Sequence, residues 1–248
     1  METIEYRLER DFLGEKKIPT HAYYGIQTVR ALENFPITGE KMNRHVIIAL
    51  AIVKKSAAQA NRDLGYLEPK IADAIITAAE EIINGKWHDQ FIVDPVQGGA
   101  GTSSNMNANE VIANRALEIL GEEKGNYQII SPTTHVNMAQ STNDVFPTAN
   151  HITILTKMDH LLAEAHKLHE AYTKKAQEFY PLLKIGRTHL QDAVPMSLGQ
   201  EFEAYAHALK RDIERINDTK KYLYPINMGG TAVGTGLNAD PLYIKKVV

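Results

Sequence analysis

The run from about Thr148 to Tyr180 sets the hardest condition on how this chain can fold. Ile152, Leu155, Met158, Leu162, Ala165, Leu168 and Tyr172 recur at three- or four-residue steps, the spacing of one helical face, and Pro181 ends the run. At 1.5 Å per residue such a helix is about 50 Å long, beyond the roughly 30 Å diameter of a small domain. It needs a long bundle to lie in. A second long helix is expected from Ser197, where Ser197-x-x-Gln200 forms a capping box, to about Tyr222. Two helices of this length cannot bury both flanks against one small domain, so their partners must be other chains or more of the same chain. Self-association is the expectation.

Upstream, residues 1–42 are rich in Pro, Gly and aromatic side chains with little periodicity, which suits an extended arm with room for a short strand or hairpin. Helices are expected from about Asn43 to Leu64, stopped by Gly65, and from about Glu68 to Asn84, with Pro69 in the first turn and Gly85 after the last. A third runs from about Ser104 to Leu120, ending at Gly121. No alternating strand pattern competes with these assignments. The expected fold class is all-α: a small amino-terminal helical domain with its arm over residues 1–139, then the start of a central long-helix bundle over residues 140–248.

Composition narrows the partners. With 44% hydrophobic and 23% charged residues the chain has a soluble globular profile, and its net charge of −3 leaves no global basic surface, so nucleic acid is not an expected partner. There is no cysteine, which removes disulfides, thiolate nucleophiles and Cys-based metal sites together. The amino terminus carries mixed charge without an apolar core, and the longest apolar run, Val46 to Val53, is too short for a bilayer. A cytoplasmic protein with no membrane partner is expected.

Chemistry concentrates in three polar islands, each placed just before a helical pattern: Gly98 to Asn107, Gln140 to Pro147 and Gly186 to Pro195. The first offers glycines that expose backbone N–H groups, then Thr102 at a helix start. The second offers Ser141, Thr142 and Asn143 in succession, with Asn143 or Asp144 as a helix cap. The third adds Arg187, Thr188 and His189, a fixed cation, a donor and the side chain best suited to proton transfer near neutral pH, with Asp192 to orient the imidazole. Taken singly, each also reads as a capped turn. Together they supply hydroxyls, amides and few carboxylates, which suits a small anion that gains charge during reaction.

Other signals fail on context. Gly234-x-Gly236-x-x-Ala239 has dinucleotide spacing but no preceding strand and no room for a βαβ unit. His160, His166 and His169 sit on a helical pattern where His160 with Glu164 and His166 with Glu170 make i,i+4 pairs and no H-E-x-x-H spacing occurs, so no metal site is assigned.

The islands resemble the signature blocks of the aspartase/fumarase superfamily. Gly98 to Ala113 reads GGAGTSSNMNANEVIA, Val136 to Ala149 VNMAQSTNDVFPTA, Lys184 to Phe202 KIGRTHLQDAVPMSLGQEF and Gly229 to Asn238 GGTAVGTGLN, so the resemblance extends across the chain. GGAGTS and QSTND are similar to the aspartase branch, whereas class II fumarases carry GSGTQ and QSSND. Ser131-Pro-Thr-Thr134 stands where fumarases have the His-Pro-Asn-Asp of an accessory anion site.

The resemblance implies reversible deamination of L-aspartate to fumarate and ammonia through an aci-carboxylate, without an organic cofactor, in a homotetramer whose active sites are shared between chains. It places Thr102, Ser141 and Thr142 on the β-carboxylate, Asn143 and His189 on the amino group, and Thr188 on the α-carboxylate. The family's G-S-S-x-M-P-x-K-x-N-P loop, whose serine is the base, does not occur in these 248 residues. The expectation is therefore an amino-terminal portion that holds the binding residues without the base, with His189 as the only proton-transfer candidate present. Fumarate hydration and a non-catalytic structural role are the alternatives.

Overall fold

The computed structural model describes residues 5–97 and 99–248, so Gly98 of the first island and residues 1–4 of the arm lie outside the described residues. The chain opens with an antiparallel hairpin, β1 (Tyr6–Asp11) and β2 (Gly14–Pro19), paired from Tyr6↔Pro19 to Asp11↔Gly14. Helices α1 (Ile26–Asn34), α2 (Arg44–Asp63), α3 (Pro69–Ile83) and α4 (Thr102–Ile119) follow. A π-helical turn (Pro132–Val136) precedes α5 (Thr142–Phe179). A second hairpin, β3 (Leu183–Thr188) and β4 (Gln191–Ser197), leads into α6 (Leu198–Leu223), and α7 (Pro241–Lys246) comes last. The fold is helical, with two two-stranded sheets among the described residues.

The chain divides into two compact units. The first runs through Thr153 and resumes at Ile226–Val248; the second is Ile154–Pro225. In the first, α2, α3 and α4 pack through small residues, Ala49, Ala57, Ala72, Ala78, Ala79, Ala113 and Ala116, between Leu50, Ile75, Ile82, Ile112 and Leu117. Small side chains let helix axes approach closely, and the larger ones fill the space that remains.

The start of α1 is fastened to α4 and to the amino-terminal hairpin by two buried carboxylates. Glu110 of α4 accepts from the backbone N–H groups of Gly25, Gln27 and Thr28 and from the Thr28 hydroxyl, at 2.7–3.1 Å. Glu9 of β1 takes the N–H of Ile26 at 2.8 Å. The orphan amides that open α1 are thereby satisfied from two other elements, in place of a side-chain cap of its own. Burial pushes the Glu110 carboxyl up to about 7, with Glu9 adding to the effect, and the Thr28 and Gln27 donors work against it.

In the second unit Met158, Leu162 and Ile213 form a small buried cluster, and Tyr172, Phe179, Phe202 and Tyr205 make edge and tilted ring contacts at centroid distances of 5.2–6.2 Å. Leu168 of the expected apolar stripe stays exposed, as do Ile154 and Leu161 on the same helix. The Ser197–Gln200 capping box starts α6 as expected.

Three expectations need correction. Residues 183–197 are a β-hairpin rather than a polar approach to a helix; its positions are almost all exposed, so no buried face imposes the alternation that betrays a strand. α1 was not expected, because its start is capped from residues far away in sequence. α5 begins at Thr142, six residues before the pattern suggests, and carries Pro147 inside it. Proline cannot donate to the carbonyl four residues back, Asn143 O, and Asn227 Nδ2 donates to it instead at 2.8 Å. No helix of the described residues is long and apolar enough to cross a membrane.

Candidate functional site

The first and second islands meet at two helix N-termini. Gly101, the N-cap of α4, has φ of 85°, and a Cβ there would stand 2.5 Å from the ring of Phe146 on α5. Both the left-handed backbone and the close approach therefore call for glycine. Thr102 is the first residue of α4 and is exposed. One turn on, Asn105 Nδ2 donates to Thr142 Oγ1 at 3.0 Å.

Ser141 caps α5. Its hydroxyl oxygen accepts from Asn143 N (3.2 Å), and Asp144 returns the contact by accepting from Ser141 N (2.9 Å). The cap is thus Ser141, correcting the assignment to Asn143 or Asp144. The second Asp144 oxygen accepts from Gly229 N (3.2 Å) and Thr231 N (2.9 Å), and Asn143 Nδ2 donates to Ala232 O (2.7 Å). These bonds hold residues 229–238, the fourth signature block, against the start of α5. Between them lies a cavity of ≈ 440 Å³, lined by Gln140, Ser141, Thr142, Thr231, Ala232 and Val233 among others. A neighbouring cavity of ≈ 510 Å³, lined by Asn61, Tyr66, Asp240 and Tyr243 and sharing Ala139 and Asn238, receives none of the islands' hydroxyls.

A buried polar layer underlies the hydroxyls. Lys54, fully buried on α2, donates to Asn137 Oδ1 (2.8 Å) and Gln140 Oε1 (2.9 Å), and Asn105 and Asn109 donate to the same Asn137 oxygen at 3.2 Å. Burial pulls the Lys54 ammonium well below the usual lysine range, and the charge of Asp144 pulls it back up. Lys54 and Asn137 were not singled out from sequence. A helical wheel of α2 carries the signal for Lys54, which shares its face with Leu50, Ala57, Ala58 and Asn61, all buried. The other buried polar residues of α4 are scaffold: Asn107 ties to Gln90 and Ile92, and Asn114 to Tyr23 and Gly125.

The segment entering the glycine-rich island is anchored by Asp94. Burial pushes its carboxyl up, but the amides of Val96, Thr38 and Gly39 and the Thr38 hydroxyl outweigh this and hold it down at about 2. A carboxyl depressed on folding adds stability that is present above its unfolded value of about 3.9 and is lost as pH falls through the folded one. Thermal unfolding between pH 5 and about 2 should therefore show an acid decline that is shallower in Asp94→Asn; an identical slope would contradict this role.

Thr188 and His189 lie in the second unit. Thr188 pairs with Gln191, and His189-Leu190 forms the two-residue turn between β3 and β4 with φ of 50° and 61°. Such turns normally take Asn-Gly, so this one holds its residues in a sparsely populated conformation, a feature common at functional sites. Asp192 pairs with Arg187 at 3.4 Å across the hairpin rather than with His189, which corrects its expected orienting role; both partners are largely exposed.

A family model described as lyase matches residues 14–248. The aspartate ammonia-lyase of Bacillus subtilis (strain 168) is 65% identical over 244 residues, 98% of this chain and 51% of that protein. A fumarate lyase:delta crystallin structure from Brucella melitensis, bound to cobalt, superposes with a TM-score of 0.95 at 50% identity, covering 98% of this chain and 53% of the other. A recombinant class II fumarase from Schistosoma mansoni superposes at 0.91 with 37% identity, covering 98% and 51%. The chain spans about half the length of the curated relatives it matches.

Proposed function

We propose that this chain, which belongs to the aspartase/fumarase superfamily of lyases, supplies part of the substrate site of an aspartate ammonia-lyase, the whole protein converting L-aspartate reversibly to fumarate and ammonia. The hard step is removal of a proton from the carbon beside the side-chain carboxylate. It leaves an aci-carboxylate with two negative charges on that group, which then expels ammonia. Donors whose hydrogen bonds strengthen as that charge develops lower the barrier.

The observation that carries the reading is the pair of adjacent hydroxyls, Ser141 and Thr142, at the positive end of α5 and facing one cavity. With Thr102 at the start of α4 they would bind the β-carboxylate. Asn143 and His189 would meet the amino group and Thr188 the α-carboxylate. The base would come from the G-S-S-x-M-P loop type, which these residues do not contain, so residues 1–248 alone should not turn over. Exposed Ile154, Leu161 and Leu168 support a bundle domain beginning near residue 140 and shared within a homotetramer. The cysteine-free composition suits the cytoplasm.

The full-length protein should release fumarate from L-aspartate much faster than from malate, followed by fumarate absorbance. Malate turnover equal to or above aspartate turnover would contradict the assignment and favour a fumarase.

A further inference from the structure

The polar layer beneath the cavity has a fixed sense. Backbone carbonyls only accept, so Asn137 Nδ2, which meets Gln140 O at 3.1 Å, must be the amide nitrogen. Likewise Gln140 Nε2 meets Val136 O at 3.0 Å and Met138 O at 3.1 Å. Both amide oxygens are consequently turned toward Lys54, whose Nζ has a proton for each. Asn137 Oδ1 is an acceptor, and Asn105 faces it at 3.2 Å. Turning the Asn105 amide over would set two acceptor oxygens against one another. Asn105 therefore turns its Nδ2 this way, and it donates to Thr142 Oγ1 at 3.0 Å.

Thr142 has one proton, and its oxygen already accepts from Asn105. Among the described residues Thr142 donates to none, and it borders the ≈ 440 Å³ cavity. We infer that Asn105 is a positioning residue that makes Thr142 a hydrogen-bond donor toward the bound carboxylate, with Asn137 and Lys54 behind it setting the direction of the whole chain of bonds. The inference rests on the reading of this cavity as a dicarboxylate site. A hydroxyl whose inner neighbour is an acceptor spends its proton inward; one that is met by a donor on its inner side keeps that proton for the ligand side, where a carboxylate can only accept it. That preorganisation matters most when the ligand gains charge.

The test uses the full-length enzyme. Asn105→Asp keeps the shape but replaces the donor by an acceptor, so the Thr142 proton is drawn inward; kcat should fall by about one hundred-fold, as for loss of an oxyanion donor, with KM changing much less. Asn105→Leu removes the donor without reversing it, so its loss should be smaller. Combining either substitution with Thr142→Ala should give a variant no slower than Thr142→Ala alone, because both act through one hydroxyl. Losses that multiply, or a Leu variant slower than the Asp variant, would mark Asn105 as merely structural and overturn the inference. If Asn105→Asp does not fold, the cycle with Asn105→Leu decides. Should wild type lack aspartate turnover, the functional reading fails by itself. The same cycle read by calorimetric titration with fumarate then judges the inference: coupled losses of affinity support it, and independent losses overturn it.

Discussion

Gly25→Ala should destabilise the first unit by about 3 kcal/mol or more, the upper end of what overpacking a buried site costs. The added Cβ would stand 2.5 Å from Tyr127 Oη, 2.7 Å from Glu9 Oε2 and 2.8 Å from Glu110 Oε1. None of these can step aside freely. The Glu110 carboxylate holds three amides and a hydroxyl of α1, Glu9 is also bonded to Arg7, and Tyr127 is shared between Glu9 and Asn114. Making room for a methyl group means parting α1 from α4 and leaving buried carboxylates and amides unpaired, which adds to the steric cost. A protein of this size loses about 2–4 °C of Tm per kcal/mol, so a drop of about 6 °C or more is expected by calorimetry. A variant that melts with the wild type would show that the clasp has slack.

The clasp also shows where sequence reading stops. α2 and α3 were legible because their apolar residues repeat at helical spacing and their ends carry Asn43, Pro69 and Gly85, signals that act within a few residues. α1 was not, since the groups that cap it, Glu9 and Glu110, are separated from it by 17 and 85 residues. The start of α5 was hidden for the same reason: Pro147 argues locally for a boundary, and only Asn227, 84 residues from Asn143, removes the objection. The hairpin of residues 183–197 buries no face within its unit, so nothing in its pattern marks it as strand.

The candidate site divides along the same line. Its hydroxyls were legible because Ser and Thr cluster at helix starts, whereas the layer that supports them was not. Lys54 looks like one more charged residue on an amphipathic helix until the burial of Leu50, Ala57 and Asn61 shows which face it occupies. Asn105 and Asn109 are two of four buried asparagines on α4, and only the partners distinguish those that reach Asn137 from those that serve as scaffold. Asp192 is the converse case, where proximity in sequence suggested a partner for His189 and the hairpin gave it Arg187.

Thr142→Ala carries the largest expected effect on turnover. Its hydroxyl sits at the amino end of α5, accepts from Asn105 and borders the cavity. If it stabilises the aci-carboxylate, its removal costs most when the second negative charge is present, and about one hundred-fold or more should be lost, roughly 2.7 kcal/mol of transition-state stabilisation. The fold should survive, because the change gives up a single hydrogen bond worth about 1 kcal/mol. The decisive measurement is the steady-state kinetics of L-aspartate deamination by full-length wild type and Thr142→Ala. Equal falls in kcat and kcat/KM are expected, since an interaction made mainly in the transition state leaves KM nearly unchanged. An unchanged kcat with only a raised KM would mean that Thr142 holds the ground-state carboxylate and does nothing for the dianion, contradicting the role assigned to these hydroxyls.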